Sequence, residues 1–444
     1  MHLYMSGTPK NDRFQAVENQ MCSHRLFSLY REYQSEVFAW LRDVKAGVHS
    51  FADYCAQDRR RTGDCETSDR KAERLLRERG ITESWPGYFE SLTTISERFA
   101  PSHPKHIMLD SGAFTAWNTG KPVTLDEVKS VYSRFLNEAG GLFDEVWLVN
   151  LDVITDDKTG PEEKSRAIKQ SDRNFATLQS EFGNCVLPVF HQDEGKERLL
   201  EVVDQAKGYL CLSPLNSKPE EERWRWATLA RSALSDLDCD VRTHGLATTG
   251  NNMLRYATLL SGDSEAWLRH ARYGVVDLIE NEKFVAECPR SLSTRDADGK
   301  NVEVDRFLKV EERSQQRYKG YHISAELNDL NRSTGEKIID NAKHFGRLDS
   351  EKRDWVRSRV EQHLPFLLAQ FDMRARSLVN LAELMGMAEA KTWREPTGPT
   401  ITVMQNGKPI DPEPYYGKKV EVRQYPLAMD RQRFFSRDKV FEGL

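Results

Sequence analysis

Six short apolar runs, each ending on a polar side chain capable of chemistry, constrain this chain more than any other feature. They are His106–Asp110, Val146–Asp152, Val186–Gln192, Tyr209–Ser213, Val241–His244 and Tyr256–Asp263, and three of them end on aspartate. Parallel strands covered on both faces read as near-continuous apolar runs. When such strands alternate with helices and carry polar residues only at their C-terminal ends, the expected fold is a (β/α)8 TIM barrel with its site at that mouth. Two earlier runs, His2–Met5 and Arg25–Tyr30, bring the count to eight. The competing fold is an open doubly wound sheet. It normally has a glycine-rich phosphate turn after its first strand, and Ser6-Gly7-Thr8-Pro9 is a poor one.

The connections carry their own signals. Thr124 followed three residues later by Glu127 is a capping-box pattern and predicts a helix over Leu125–Ala139. Pro161 and Gly183 suit the start and stop of a helix over Pro161–Phe182. Further helices are expected near Lys196–Ala206, Pro219–Leu237 and Ser264–Arg272, with a short one after Gly250-Asn251-Asn252. Residues 31–100 break the rhythm. They are charge-dense and include Arg59-Arg60-Arg61 and a helical Lys71–Arg79 segment, which predicts a mostly helical insertion after strand two, on the active-site face.

At 444 residues the chain exceeds the size at which single cores stop growing. The expected division is a barrel over 1–290 and a C-terminal region over 291–444, where composition shifts. Leu292–Lys319 is polar and suggests a linker or extended edge; Asp349–Ala390 has helical periodicity; Asn406-Gly407 between β-prone residues is a hairpin signal. Net charge is −5, which gives no strong nucleic-acid footprint overall and leaves local basic clusters to decide. The seven cysteines form no CxC or CxxC pair, so neither a zinc site nor a disulfide framework is expected, and reduced thiols suit the cytoplasm. No 18-residue apolar run or signal-peptide pattern is found, so no membrane association is expected. P-loop, Gly-x-Ser-x-Gly and HxxxH patterns are absent, and no cofactor or metal is expected.

Each strand end admits a structural and a chemical explanation. Asp110 is either a turn residue of Asp-Ser-Gly or a general acid/base, with Gly112 letting a ligand near the backbone. Asp152 closes an apolar run and would accept from ligand N–H groups or pair with a basic neighbour. Of His191 and Gln192, alternation lets only one face the barrel axis; Gln192 suits recognition of a base carbonyl. Ser213, His244 and Gly245 lie at the same level, where small residues leave room for a flat ligand. Asp263 is either a carboxylate nucleophile or the N-cap of the following helix. Polar residues at the same end of six consecutive strands are hard to attribute to caps alone.

Together Leu109-Asp110-Ser111-Gly112-Ala113-Phe114, Asn150-Leu151-Asp152, Val189-Phe190-His191-Gln192, His244-Gly245 and Asp263-Ser264 resemble the tRNA-guanine transglycosylase superfamily. Within it, the chain is most similar to the DNA-acting 7-deazaguanine transglycosylases of phages and bacterial islands. The resemblance covers roughly residues 1–280. It implies exchange of guanine in DNA for a free 7-deazaguanine base, with Asp263 as nucleophile at C1′ and Asp110 moving protons. Asp152 would read the guanine N1–H and amino group, Gln192 would lie near O6, and Ser213 and Gly245 would leave room at C7. The tRNA enzymes carry a cysteine–histidine zinc site after the barrel and read Asp-Ser-Gly-Gly-Phe-Gln; this chain lacks the first and has Asp110-Ser111-Gly112-Ala113-Phe114-Thr115. Both departures point toward DNA, flipped or single-stranded, with tRNA or a glycoside as the alternative substrates. Arg59, Arg60, Arg61 and the basic stretch Arg431–Lys439 are candidate phosphate contacts, or simply solvated charge.

Overall fold

The computed structural model describes residues 1–7, 13–57, 59–78, 80–85, 87–156, 158–192, 194–236, 241–257, 259–295, 301–324, 344–390, 403–405 and 408–410. Nine short strands pair in parallel in one sheet: β1 His2–Met5, β2 His24–Ser28, β3 His106–Asp110, β4 Glu145–Val149, β5 Val186–Leu187, β6 Val189–His191, β7 Tyr209–Ser213, β8 Arg242–Gly245 and β9 Ser261–Ser264. The order β5-β4-β3-β2-β1-β9-β8-β7-β6 begins and ends on strands separated only by Pro188. Proline has no N–H to give a ladder, so one chain path is read as two strands, the first paired to β4 and the second to β7. The Pro188 carbonyl still accepts the Cys211 N–H at 2.9 Å. The sheet is thus a nearly closed TIM-type barrel, as the strand count predicts.

The barrel interior is filled by Tyr4, Leu26, Met108, Val149, Leu187, Val189, Tyr209 and Cys211. Helices wrap the outside. Thr124 and Glu127 close the expected capping box on α7 Leu125–Ala139, and Gly160 and Gly183 flank α8 Pro161–Phe182. Two boundaries differ from the sequence reading. The run Tyr256–Asp263 is not one strand: Asn251–Tyr256 is helical and β9 starts at Ser261, because the apolar periodicity of a short helix and of a buried strand overlap. β4 ends at Val149, so Asp152 stands on the following loop.

Residues 31–100 are mostly helical, as expected: α2 Gln34–Lys45, α3 Phe51–Gln57, α4 Arg59–Glu78 and α5 Tyr88–Ser96, of which α3–α5 are the insertion. Its attachment corrects the expectation of an active-site position. Ser102 N–H donates to His49 O, and Lys105 and His106 N–H donate to Ser23 O just before β2. The segment α3–α5 therefore enters and leaves at the N-terminal ends of the strands, opposite the mouth, while α2 is the ordinary barrel helix between β2 and β3. Gln20, at the end of α1 Arg13–Met21, ties it down through Phe51 N–H and the Ser96 and Phe99 carbonyls.

After α12 Ala266–Arg272 the chain forms a long antiparallel hairpin, Val275–Arg295 with Asn301–His322. The stretch Leu292–Lys319, read as a linker or extended edge, supplies the end of the first strand and most of the second; Val302 and Val304 alternate with Glu303 and Asp305, a period-two pattern that overall polarity hides. Helices Ser350–Glu361, Phe366–Phe371 and Met373–Ala390 follow, then a short pair Val403–Gln405 with Lys408–Ile410 that brackets Asn406-Gly407. Leu378, Val379 and Leu381 of the 373–390 helix are buried in one cluster with Leu3, Met5, Phe14, Trp267 and Val276. The Asn380 amide accepts the Asp277 N–H and donates to Trp267 O and Val275 O. This helix packs on β1, α1, α12 and the base of the hairpin. Among the described residues no helix is long and apolar enough to cross a membrane.

Candidate active site

Three carboxylates face one axis at the C-terminal mouth. Asp110 ends β3; Asp263 lies in β9; Asp152 is presented by the loop after β4. That loop is held from behind: Asn150 donates to Ser171 O, Asn174 donates to Leu151 O, and the Ser171 hydroxyl accepts the Val153 N–H at 2.8 Å. A polar stripe on α8 therefore positions Asp152, a role that sequence reading did not assign to it. The Cys211 thiol, fully buried on β7, is pushed well up by burial, and all three aspartates add to the shift. One sulfur feeling three charges places them around a common point.

Asp110 has the most altered chemistry. Burial, then the Asp152 charge, raise its carboxyl to about 7, with Asp263 adding to the effect; the Ser28 hydroxyl and the Gly112 N–H pull the other way. Gly112 N–H donates to Asp110 Oδ2 at 3.2 Å, so the turn explanation and the acid/base explanation hold together. Gly112 has φ 82°, and an added Cβ would sit 2.9 Å from Tyr30 Cβ, so only glycine fits this turn. Ser28 was missed by the sequence reading; it ends β2 in register with Asp110, and the same strand-end rule would have found it.

Asp263 does not cap the helix behind it. Ser264 Oγ accepts the Ala266 N–H instead. Asp263 Oδ1 lies 3.2 Å from His244 Nε2 and accepts the Ala247 N–H at 3.0 Å. Oδ2 has no hydrogen bond among the described residues. His244 is fully buried, and its Nδ1 lies 2.8 Å from Ser261 Oγ, which is 2.5 Å from the Tyr209 hydroxyl.

His191 Nε2 lies 2.7 Å from Asp152 Oδ2, so His191 is the member of its pair that faces the axis. Gln192 turns away. It is 2% exposed, and its Oε1 accepts the Leu215 N–H at 3.0 Å, which fixes the loop after β7. The geometry gives no support to Gln192 as a reader of O6. Ser213 stands beside His191 in register and is half-buried. Gly245 has a packing explanation: an added Cβ would lie 2.1 Å from Thr248 Oγ1 and 2.4 Å from Leu259 Cδ1. It therefore supplies no room for a ligand.

Phe114 and Trp117 follow Asp110 on α6 Ala113–Thr119, are nearly half exposed, and have ring centroids 6.0 Å apart. Trp267 is buried in the core and inaccessible to a sugar ring. A cavity of about 410 Å³, lined by Leu29, Gln34, Ser111, Val128 and Tyr132 among others, lies between the starts of α2 and α7 and is lined by none of the three aspartates. Arg59, Arg60 and Arg61 open α4, whose first-turn side chains lie outside the described residues, as does Arg431–Lys439. Among the described residues no group of three or more His, Cys, Asp or Glu could hold a metal ion.

The fold defines a TIM-barrel-like α/β protein with three aspartates at the C-terminal mouth of its barrel. No protein-family model matches the chain, and no curated protein matches it either.

Proposed function

We propose that the protein is a base-exchanging transglycosylase acting on guanine in DNA and inserting a 7-deazaguanine such as 7-cyano-7-deazaguanine. One observation carries the reading: a carboxyl raised to about 7 beside a carboxylate with one oxygen tied and the other free. The first is suited to moving a proton near neutrality, the second to attack. Asp263 Oδ2 attacks C1′, the C1′–N9 bond breaks, and guanine leaves with the proton of Asp110. The incoming base then gives its N9 proton to Asp110, and N9 displaces the aspartyl ester. Two inversions retain configuration, as in retaining glycosidases.

Asp152, backed by His191, is suited to accept the N1–H and amino hydrogens of the base. Phe114 and Trp117 offer apolar faces on which a flipped or single-stranded nucleotide stacks. The choice of DNA over tRNA rests on the sequence resemblance and its two departures. Incubating the protein with labelled guanine, or labelled 7-cyano-7-deazaguanine, and either DNA or tRNA tests the reading. Label entering DNA, with a covalent protein–DNA adduct trapped during turnover, is the expected result. Label entering tRNA alone reassigns the substrate; label entering neither, together with release of sugar from a glycoside, removes the proposal.

A further inference from the structure

Behind Asp263 runs a buried polar chain that base exchange itself does not use, formed by Tyr209, Ser261 and His244. Tyr209 is 3% exposed, Ser261 1% and His244 fully enclosed. Such groups must satisfy one another, since water does not reach them. The Tyr209 hydroxyl touches Ser261 Oγ, Ser261 Oγ touches His244 Nδ1, and His244 Nε2 touches Asp263 Oδ1.

Proton inventory leaves one arrangement. A doubly protonated imidazole would donate to both Ser261 and Asp263; Ser261 Oγ would then accept from the ring and from Tyr209 on its two lone pairs, and its own buried hydrogen would find no acceptor in the chain of groups. A neutral ring protonated at Nδ1 would aim its Nε2 lone pair at the Asp263 carboxylate, two acceptors 3.2 Å apart. With the proton on Nε2, every group is served: Tyr209 donates to Ser261, Ser261 donates to Nδ1, and Nε2–H donates to Asp263. Burial also raises the Tyr209 phenol, which keeps it a donor. Tyr4 packs edge-on against the His244 ring, 5.4 Å between centroids, and fixes its plane.

We infer that Tyr209, Ser261 and His244 are a one-way hydrogen-bond relay that locks His244 as the Nε2–H tautomer, pins Oδ1 of Asp263, and leaves Oδ2 as the attacking oxygen. This rests on the transglycosylase reading for the attack, but not for the tautomer. All three are positioning residues. Ala247 N–H, arriving at the same oxygen at 3.0 Å, gives the pin its second point.

Two measurements on the full chain test it. Two-bond proton–nitrogen spectra of histidine-labelled protein, with His244 assigned by its loss in His244→Gln, read the tautomer directly. The Nε2–H pattern at neutral pH is expected; an Nδ1–H or doubly protonated ring overturns the inference. Ser261→Ala should lose that single pattern while melting as a folded protein, and Ser261→Thr should restore it; an unchanged tautomer in Ser261→Ala also overturns it. In the exchange assay, Ser261→Ala should lower kcat by roughly 10- to 100-fold with KM for DNA held within about twofold, and Ser261→Thr should recover much of the loss. Wild-type kcat in Ser261→Ala would remove the positioning role. If wild-type protein exchanges no base at all, the transglycosylase reading falls, and the tautomer is still decided by the spectra.

Discussion

Asp110 and Asp263 are the same residue type at the same end of the barrel, yet their surroundings separate their chemistry. Asp263 is met by two donors on one oxygen, whereas Asp110 is buried near two other carboxylates. Asp263→Asn should abolish the covalent adduct and lower exchange by at least about 1,000-fold, read by adduct trapping and label incorporation. Asp110 makes a thermodynamic prediction as well. Its folded value of about 7 lies above the ordinary aspartate value of 3.8, so between those limits the native state keeps a proton that the unfolded chain has released. Stability therefore falls as pH rises from about 4 to 7, and the loss is complete above that window. Asp110→Asn should remove this cost, raising stability at pH 8 by about 1–3 kcal/mol and flattening the pH dependence, while base exchange is lost. Denaturant melts from pH 4 to 8 decide it; an equally steep fall in the variant would place the cost elsewhere.

At the scale of elements, glycine positions give the clearest test of how the mouth is built. Gly245→Ala should destabilise by about 1–3 kcal/mol, because its Cβ would drive into Thr248 and Leu259 rather than into open space. A thermal melt measures this, and an unchanged midpoint would reopen the site-volume explanation. The difference between that packing role and the one expected from sequence shows what was legible. Most strand positions, the Thr124 capping box and the Pro161–Gly183 limits follow from local patterns, and local patterns are what a sequence displays; the run Tyr256–Asp263, half helix and half strand, is where they mislead. The location of three aspartates at one mouth was legible too, because strand direction fixes which end is which. Partners across strands were not. Gln192 turns to Leu215, His244 reaches Asp263, and α8 holds Asp152 through Ser171 and Asn174, all over long separations that no local pattern encodes. The attachment of α3–α5 on the far face was hidden for the same reason: charge density marks an insertion but not the end of the barrel that receives it.

For the whole molecule, the helix over 373–390 matters as much as any strand. It buries Leu378, Val379 and Leu381 in one cluster with β1, α12 and the base of the long hairpin, each worth about 1.5–3 kcal/mol if exposed on its loss. A chain cut after residue 290 holds every barrel strand but should fail to fold cooperatively, as judged by circular dichroism and a broad or absent melt; a sharp native-like melt would contradict this. Pro188 has a different consequence. The outer core on one side of it draws on Phe27 through Val186, and that on the other on Phe190 through Leu259. The proline that interrupts the ladder thus stands where these two outer cores part. Native-state hydrogen exchange should show separate protection blocks before and after Pro188, joined through the interior layer and the 373–390 helix. If so, the two pieces are natural candidates for split-protein reassembly, with the mouth appearing only when both are present: Asp110 and Asp152 arrive on one fragment, His244 and Asp263 on the other.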